Sequence, residues 1–567
     1  MAVLLIGDGP AVESAEAMLG EQDVATARGS VDDLPAADLA IVVGLAGSEG
    51  FDAANRLAVE SDTPWIGVEI GGIGGVPVEG LSAAVTTFQP GYVCFECLAT
   101  RVAANGVQAA EQASADRSEA RLAGSFAGMQ ALHALSGAEV AGVVLEVPYA
   151  ERSLLPVPGC EHASDRDRSL DLEESDWSLD TAIEHAELAV DDRLGLVPTV
   201  GEHDSFPLPY YLATLTDTTG FSDGAAPERA AGVAPTWDGA FMKALGESLE
   251  RYSAAIYRRE DLDRVAPDEI DGPALDSFAG VSEAEVEAVE ELPVVPGQDL
   301  LADSTVSLPA DLVHFPPPES AFSHAITTGL GLGSGGVEAT LSGLYEVLER
   351  DATMLAWYSS FEPLGLDVAA ETFETMVRRA RGEGLTVTPL LVTQDLDVPV
   401  VSVAVHREEY PRLAMGSAAA LDAEAAAVDA LSEALQNWME LRGLGPDQAA
   451  DATGAIGTYA QEPGAAESLL EPADLVPAGS VGPESVPTGR EELDAVLERV
   501  EAAGLEAYAA PLTPRDVDRL GFSAVRVLVP GAQPLFVDDP IFAERAETVP
   551  AELGFEPQLD RPFHPYP

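Results

Sequence analysis

The sequence predicts an α/β protein built in at least two parts, and three observations carry that expectation. The chain has 567 residues; at about 150 residues per domain this corresponds to three or four domains, or two if the units are large. Hydrophobic residues make up 46% and charged residues 22% of it, a composition that furnishes a sizeable core and excludes a disordered acidic tail. The opening segment reads as strand, glycine turn, helix and strand. Val3 to Ile6 is apolar, Gly7-Asp8-Gly9 turns, Val12 to Leu19 has helical character, and Leu39 to Val43 is a second apolar run.

Gly7-x-Gly9 resembles the start of a dinucleotide fingerprint, but Val12 occupies the third glycine position, where close helix–strand packing needs no side chain. A structural turn is therefore expected, with nucleotide binding as the alternative. From Glu161 to Asp192 the chain becomes dense in charge, including Asp165, Asp167, Asp171, Glu173 and Glu174. That stretch marks a boundary between a first part over 1–165, an acidic linker over 166–192 and a second part over 193–567. Further acidic stretches at Asp268–Glu291 and Glu462–Glu484 read as surface loops.

The charge balance is extreme, with 97 Asp and Glu against 29 Lys and Arg, a net charge of −68 and an isoelectric point near 4.1. Such a surface repels a phosphate backbone and excludes general nucleic-acid binding. Lys243 is the single lysine. A solvated acidic shell on a chain of core composition fits molar salt, where the Debye length falls to about 3 Å and self-repulsion is screened. The sequence thus points to the cytoplasm of a salt-accumulating halophile, most simply an archaeon, and acidic surface clusters carry no functional weight. The opening MAVLLIGDGP has no basic n-region, and no run approaches 18 uninterrupted apolar residues, so neither a signal peptide nor a membrane span is expected. Three cysteines cannot form an even disulfide framework, and Cys94 and Cys97 have metal-ligand or redox spacing.

The strongest chemical signal occurs twice. Glu247-Ser248-Leu249-Glu250-Arg251 and Glu346-Val347-Leu348-Glu349-Arg350 share Glu-x-Leu-Glu-Arg in helix-forming sequence. Glutamates three apart lie on one helix face, where two carboxylates converge on a hard cation while arginine offers planar donors to phosphate oxygens. Two such helices facing each other would build a magnesium–phosphate site; the alternative is a pair of solvated acidic helices. Gly329, Gly331, Gly333, Gly335 and Gly336 precede the second helix and would let backbone N–H groups approach a phosphate, or would form a flexible turn.

Together these residues resemble the YcaO family of ATP-dependent peptide-backbone-modifying enzymes. The resemblance covers roughly residues 185 to 567. It runs through Lys243–Tyr252, Thr328–Asp351 with Glu338 eight residues before Glu346, Gly416–Gln436, Val525–Gly531 and the C-terminal Pro562-Phe563-His564-Pro565-Tyr566-Pro567. It implies an α+β catalytic domain in which Glu247, Glu250, Glu346 and Glu349 surround nucleotide-bound magnesium. Lys243, Glu338, Gln436, Arg251, Arg350 and Arg526 join the ATP site. Two departures stand out: Ala244 occupies a position where many members have serine, and Val233 one where many have lysine. Lys243, one turn before Glu247, can supply that ammonium. In azoline-forming members the C-terminal prolines position catalytic groups, which implies roles for His564, Pro565 and Pro567, although Phe563 replaces the earlier proline.

The N-terminal part is similar to the ThiF-like component of cyclodehydratases, here degenerate and fused to the catalytic component. Gly91-Tyr92-Val93-Cys94-Phe95-Glu96-Cys97-Leu98 and Pro158-Gly159-Cys160-Glu161-His162 carry that resemblance. Such domains close a zinc site with two Cys-x-x-Cys pairs, since four thiolates satisfy tetrahedral zinc. Here Ala163 stands at the fourth cysteine, so Cys94, Cys97 and Cys160 either bind Zn2+ with His162 or form a decayed site. The chain opens on a Rossmann-type strand rather than a winged-helix leader-binding module. A separate leader-peptide-binding protein is therefore an expected partner, beside a precursor peptide, a flavin dehydrogenase and a second copy of the chain. The implied reaction is ATP-dependent cyclodehydration of Cys, Ser or Thr in a ribosomal precursor peptide to azolines. Backbone thioamidation and a non-catalytic peptide-binding scaffold are its rivals.

Overall fold

The computed structural model describes residues 2–162, 168–320, 326–452, 455–537 and 539–567. The N-terminal region forms a seven-stranded sheet. Strands Ala25–Gly29, Ala2–Ile6, Leu39–Leu45 and Trp65–Ile70 run parallel in that spatial order; Ala83–Phe88, Val143–Val147 and Ala150–Ser153 continue it antiparallel. Alternation along the first strand decides which side each residue faces. Val3 and Leu5 join the core beneath helices Pro10–Gly20 and Arg117–Leu135, whereas Leu4 and Ile6 join Phe51, Trp65, Phe88 and Phe95 on the other face. The expected strands and helix are thus present, each extended by a residue or two. The edge strand Ala25–Gly29 is mostly exposed and lacks the apolar run that would have announced it.

Gly7 has φ +105°, and a Cβ there would lie 2.4 Å from the Val43 carbonyl oxygen, so only glycine fits this turn. Val12 is fully buried in the core beside the sheet. The turn and the helix after it are thus held by close packing against the sheet.

The second region contains three further sheets. Strands Thr199–Asp204, Tyr210–Thr214 and Arg229–Val233 form the first. Asp263–Val265, Leu292–Asp299, Tyr508–Pro511, Ser523–Leu528 and Leu330–Gly333 form the second, with Ser304–Pro309 paired to Leu292–Asp299. Leu413–Ala419, Val400–His406, Thr386–Leu391, Leu364–Asp367 and Leu475–Pro477 form the third. Each sheet contributes one strand that leads into a long helix packed back on it: Trp237–Ala254, Gly336–Trp357, and Ala423–Ala452, the last kinked at Gly445. A glycine makes each close approach possible. A Cβ on Gly232 would sit 2.2 Å from the Ala244 nitrogen, on Gly331 2.1 Å from the Ala339 oxygen, and on Gly416 2.3 Å from the Ala434 nitrogen. The strand–helix unit read twice in the sequence occurs three times in the structure.

The acidic segment expected as a linker is docked. Glu173 accepts a hydrogen bond from the Val337 N–H at 3.3 Å, Trp177 packs edge-on against Phe522, and His185 bonds the Leu520 carbonyl at 2.8 Å. Ala163, Asp165 and Asp167 lie outside the described residues. The two regions share a core: Cys94, Cys97 and Leu155 are buried in one cluster with Leu245, Leu249, Tyr252 and Phe522. No helix among the described residues is long and apolar enough to cross a membrane.

Candidate active site

The three glycine-backed helices converge on a cleft of about 910 Å³. Lys243, Glu247, Glu250 and Arg251 enter it from the first helix, and Glu338, Glu346, Glu349 and Arg350 from the second. The third supplies Asp429, Glu433, Gln436 and Asn437. Thus every glutamate of the repeated motif reaches one site. Ser417, Asp429 and Glu433, all within the stretch Gly416–Gln436, join the site without having been assigned a role in it.

Backbone geometry explains the convergence. The leading glutamate of each helix accepts a hydrogen bond from an N–H on or beside the strand before it. Ala231 donates to Glu247 at 2.8 Å, Gly329 to Glu346 at 2.9 Å and Ser417 to Glu433 at 2.6 Å. With one oxygen fixed, the other turns toward a guanidinium: Glu247 to Arg251 at 2.5 Å, and Glu346 and Glu433 to Arg350 at 3.8 and 3.7 Å. Glu349 accepts from the Ser417 hydroxyl at 2.6 Å and lies 2.9 Å from Arg350. Glu433-x-x-Gln436-Asn437 occupies, on the third helix, the place of Glu-x-x-Glu-Arg on the other two. Its legible signal is a strand glycine followed at similar distance by a glutamate, as in Gly232–Glu247, Gly331–Glu346 and Gly416–Glu433.

Glu338 accepts from the Ser334 N–H and hydroxyl at 2.8 and 2.7 Å at the start of the second helix. Gln436 donates to Glu440 at 3.1 Å, and the Tyr210 hydroxyl donates to the same oxygen at 3.1 Å. Glu440 can only accept, so Gln436 turns its amide nitrogen away and keeps its carbonyl oxygen for other partners. Val233 and Ala244 are fully buried, while Lys243 opens onto the cleft.

Electrostatics tests whether these residues suit Mg2+ and a nucleotide. Burial, then Glu346 and Glu247, push the Glu250 carboxyl up to about 8. Burial pushes Glu349 up to about 7 against the opposing pull of Arg350, and raises Glu346 as well. Carboxylates crowded away from water resist ionisation unless a cation joins them. An oxygen-only donor set of this kind matches magnesium. Arg526, on the strand Ser523–Leu528, is 5% exposed, and its Nε and Nη1 have no hydrogen-bond partner among the described residues. Burial pulls its guanidinium down to about 10, while Glu346 and Glu250 oppose that shift. A buried guanidinium with orphaned donors beside a cation site is suited to phosphate.

The C-terminal tail is docked against this region. Trp357 donates to the Pro562 carbonyl at 2.8 Å, Tyr459 to the Phe563 carbonyl at 2.6 Å, and Arg561 lies 4.2 Å over the Trp357 ring. Pro567 lines the cleft, and Pro565 is buried. The structure does not bring His564 to the cleft lining. Its ring is 2% exposed, bonds the Phe536 carbonyl through Nε2 at 2.8 Å and is held down to about 4 by burial. His564 is therefore neutral at physiological pH and packs against Phe536 and Phe563 as an anchor of the tail.

A second cluster lies in the N-terminal region. Cys94 Sγ is 3.7 Å from Cys97 Sγ, 3.7 Å from Cys160 Sγ and 3.6 Å from His162 Nδ1. Zn–S bonds of about 2.3 Å at tetrahedral angles require sulfur separations of about 3.8 Å, and Cys94 keeps about that distance from both Cys97 and Cys160. Glu96, not anticipated, places its carboxylate 3.3 Å from His162 Nδ1; ligand atoms of Cys94, Glu96, Cys160 and His162 all fall within 4.8 Å of one another. Hydrogen bonds from Cys160 and Cys94 hold the Cys97 thiol well below its ordinary value.

Strand–helix units delivering carboxylates and guanidiniums to one cleft define a magnesium-nucleotide-binding α/β protein. The sequence profile described as YcaO cyclodehydratase, ATP- and Mg2+-binding, matches residues 231–533, and the chain belongs to that family. ATP and Mg2+ are its cofactors. An uncharacterized protein of Methanothermobacter thermautotrophicus is 29% identical over 322 residues, covering 54% of this chain and 82% of that protein. A solved heterocyclase in complex with substrate and cofactor is similar over 100% of this chain and 84% of its own, with TM-score 0.72 and 18% identity. The heterocyclase TruD is similar over 98% of this chain and 82% of its own, with TM-score 0.66 and 20% identity. At these identities the likeness is one of fold, and it includes the N-terminal sheet.

Proposed function

We propose that this chain catalyses ATP-dependent cyclodehydration of Cys, Ser or Thr in a ribosomal precursor peptide, leaving azolines. The observation that carries the reading is the single cleft that gathers six glutamates from three helices with Pro567 of the docked tail at its wall. In the reaction, the side-chain thiol or hydroxyl attacks the preceding backbone carbonyl and gives up its proton. The former carbonyl oxygen takes the γ-phosphoryl group and ADP leaves. Loss of the amide proton with breakage of the carbon–oxygen bond then releases phosphate and leaves C=N. An amide oxygen is a poor leaving group in water, and phosphorylation supplies the driving force. Arg350 and Arg526 would hold phosphate oxygens, and Glu247, Glu250, Glu346, Glu349 and Glu433 would hold Mg2+, which when bound neutralises charge on the transferring group. The tail, anchored by His564, would position Pro565 and Pro567 beside the reacting amide.

Residues 1–165 serve in this reading as a ThiF-like domain whose Cys94, Cys97, Cys160 and His162 hold zinc. Residues 166–192 connect it to the catalytic domain over 193–567. A leader-binding protein and a flavin dehydrogenase act as partners, in the cytoplasm of a halophile. The test is mass spectrometry of a Cys-containing peptide incubated with the full chain, ATP and Mg2+ in molar KCl. Loss of one water per ring, with one phosphate released for each, is expected. A product that forms only with added sulfide and replaces oxygen by sulfur would overturn the cyclodehydratase reading in favour of thioamidation.

A further inference from the structure

Behind the first glutamate helix lies a polar network the reaction does not use. Arg101, Asp516 and Tyr252 are each fully buried. Arg101 Nη2 donates to Asp516 Oδ2 at 2.5 Å and to the Pro156 carbonyl at 3.0 Å. The Tyr252 hydroxyl donates to the same Asp516 oxygen at 2.6 Å and accepts from Arg101 Nη1 at 3.3 Å. A fully desolvated ion pair costs more in lost hydration than a well-packed apolar substitute, so it is a poor source of stability and a good source of fixed register.

What it registers is specific. Arg101 lies on the helix Phe95–Ala104, one turn after Cys97 and on the same face. Tyr252 follows Arg251 and lies two residues after Glu250 on the glutamate helix. Asp516 belongs to the short helix Arg515–Arg519, ahead of the strand that carries Arg526. One network therefore joins the helix that carries the cysteine cluster to the helix and strand that supply magnesium and phosphate ligands. Cys94, Cys97, Leu249 and Tyr252 also share a single buried core, so displacement of one helix cannot leave the other in place.

We propose that Arg101, Asp516 and Tyr252 are positioning residues that couple metal occupancy of the Cys94–Cys97–Cys160–His162 cluster to magnesium-nucleotide binding in the cleft. The inference rests on the cleft being the nucleotide site. Zinc at the cluster fixes the first turn of Phe95–Ala104; Arg101 transmits that position, and Tyr252 holds Glu250 and Arg251 where the cleft needs them. Coupling of this kind is reciprocal: the nucleotide tightens metal binding by the factor by which the metal tightens nucleotide binding.

The experiment uses the full chain in molar KCl. Calorimetry measures affinity for magnesium and a non-hydrolysable ATP analogue with zinc bound and after chelation, and cobalt absorption reports cluster occupancy. In the unaltered chain, chelation weakens nucleotide binding about fivefold or more, and saturating nucleotide tightens cobalt binding by the same factor. Tyr252→Phe removes one hydroxyl and keeps the ring's packing; it weakens nucleotide binding with zinc present and reduces the effect of chelation to about twofold or less. Asp516→Asn is expected to do the same more severely, and its unfolding midpoint is recorded beside that of Tyr252→Phe. Three outcomes overturn the proposal: no metal at the cluster, equal nucleotide affinity with and without it, or undiminished coupling in Tyr252→Phe. Glu346→Gln separates the two readings, since normal nucleotide binding in that variant rejects the cleft assignment, whereas lost binding without metal coupling rejects the network alone.

Discussion

The two Glu-x-Leu-Glu-Arg helices carry the same motif into different surroundings. On the first, the Glu247 and Arg251 side chains are 25% and 31% exposed and form a close pair along the helix. On the second, Glu346, the counterpart of Glu247, is 28% exposed, but Arg350 is only 12% exposed and is shared among Glu346, Glu349 and Glu433. Identical residues thus give a partly solvated ion pair in one place and a buried network in the other. Water screens the first pair and barely screens the second, so removing a charge should matter more where the third helix closes over it.

The sharpest way to break this comparison is charge removal without change of volume. Glu346→Gln and Glu349→Gln should each weaken magnesium-nucleotide binding by at least about 100-fold, on the order of 3 kcal/mol, since each loses a contact to the buried Arg350. Glu247→Gln, whose partner Arg251 is 31% exposed, should cost about tenfold. Calorimetry at molar salt checks all three. Equal losses would show that exposure does not distinguish the helices, and unchanged affinity in the second-helix variants would remove the site.

Deleting His564 through Pro567 tests the tail on the far side of the same cleft. Product formation should fall at least about tenfold while nucleotide affinity persists, because Pro567 lines the cleft and none of the magnesium ligands is lost. His564→Ala should instead lower the unfolding midpoint through the cavity left among Phe536, Phe563 and Tyr566, and leave turnover per folded molecule largely intact. Peptide mass spectra and thermal unfolding read the two effects separately. Full turnover by the truncated chain would refute a role for the tail.

The first two units of the site were legible because Glu-x-Leu-Glu-Arg repeats verbatim. The third was visible only through the resemblance over Gly416–Gln436, which put Gln436 at the ATP site, because Glu433-x-x-Gln436-Asn437 keeps the geometry and changes the side chains. Its strand glycine, Gly416, and the spacing to Glu433 were in the sequence, but a glycine alone does not announce that a helix backbone passes 2.3 Å from its missing Cβ. Cys94 and Cys97 were visible by spacing, whereas Glu96 looked like one more acidic residue on an acidic surface. The Arg101–Asp516 pair joins positions 415 residues apart, which no local pattern reveals. His564 shows the converse: the resemblance gave the tail a role, and the burial of the ring is a property the sequence does not display.

Salt separates the surface from the cleft. At 0.01 M ionic strength the Debye length is about 30 Å, so a net charge of −68 repels itself across much of the molecule. The chain should unfold or aggregate on dilution from molar salt. Magnesium nucleotide should partly restore the midpoint, because it binds the folded state alone and at a site that bulk salt screens weakly. A midpoint constant from dilute buffer to molar salt would contradict the acidic-shell reading.

A pH dependence is also expected, and it again sets the two helices apart. The Glu250 and Glu349 carboxyls titrate at about 8 and about 7 in the fold, against an ordinary 4.5. Between those values the folded chain without nucleotide holds protons that the unfolded chain has released. The stability they contribute is therefore complete below pH 4.5 and is lost as pH rises through about 7 and then about 8. Each group contributes a slope of up to about 1.4 kcal/mol per pH unit within its own window. The unfolding midpoint in molar KCl should accordingly fall from pH 5 to pH 9 without nucleotide. Magnesium-nucleotide affinity should rise over the same range, with protons released on binding. Arg350 lies beside Glu349 and already offsets part of its burial, whereas like charges at Glu346 and Glu247 reinforce the shift at Glu250. Glu250→Gln should therefore flatten the profile more than Glu349→Gln, and the reverse order would place the stronger desolvation on the second helix.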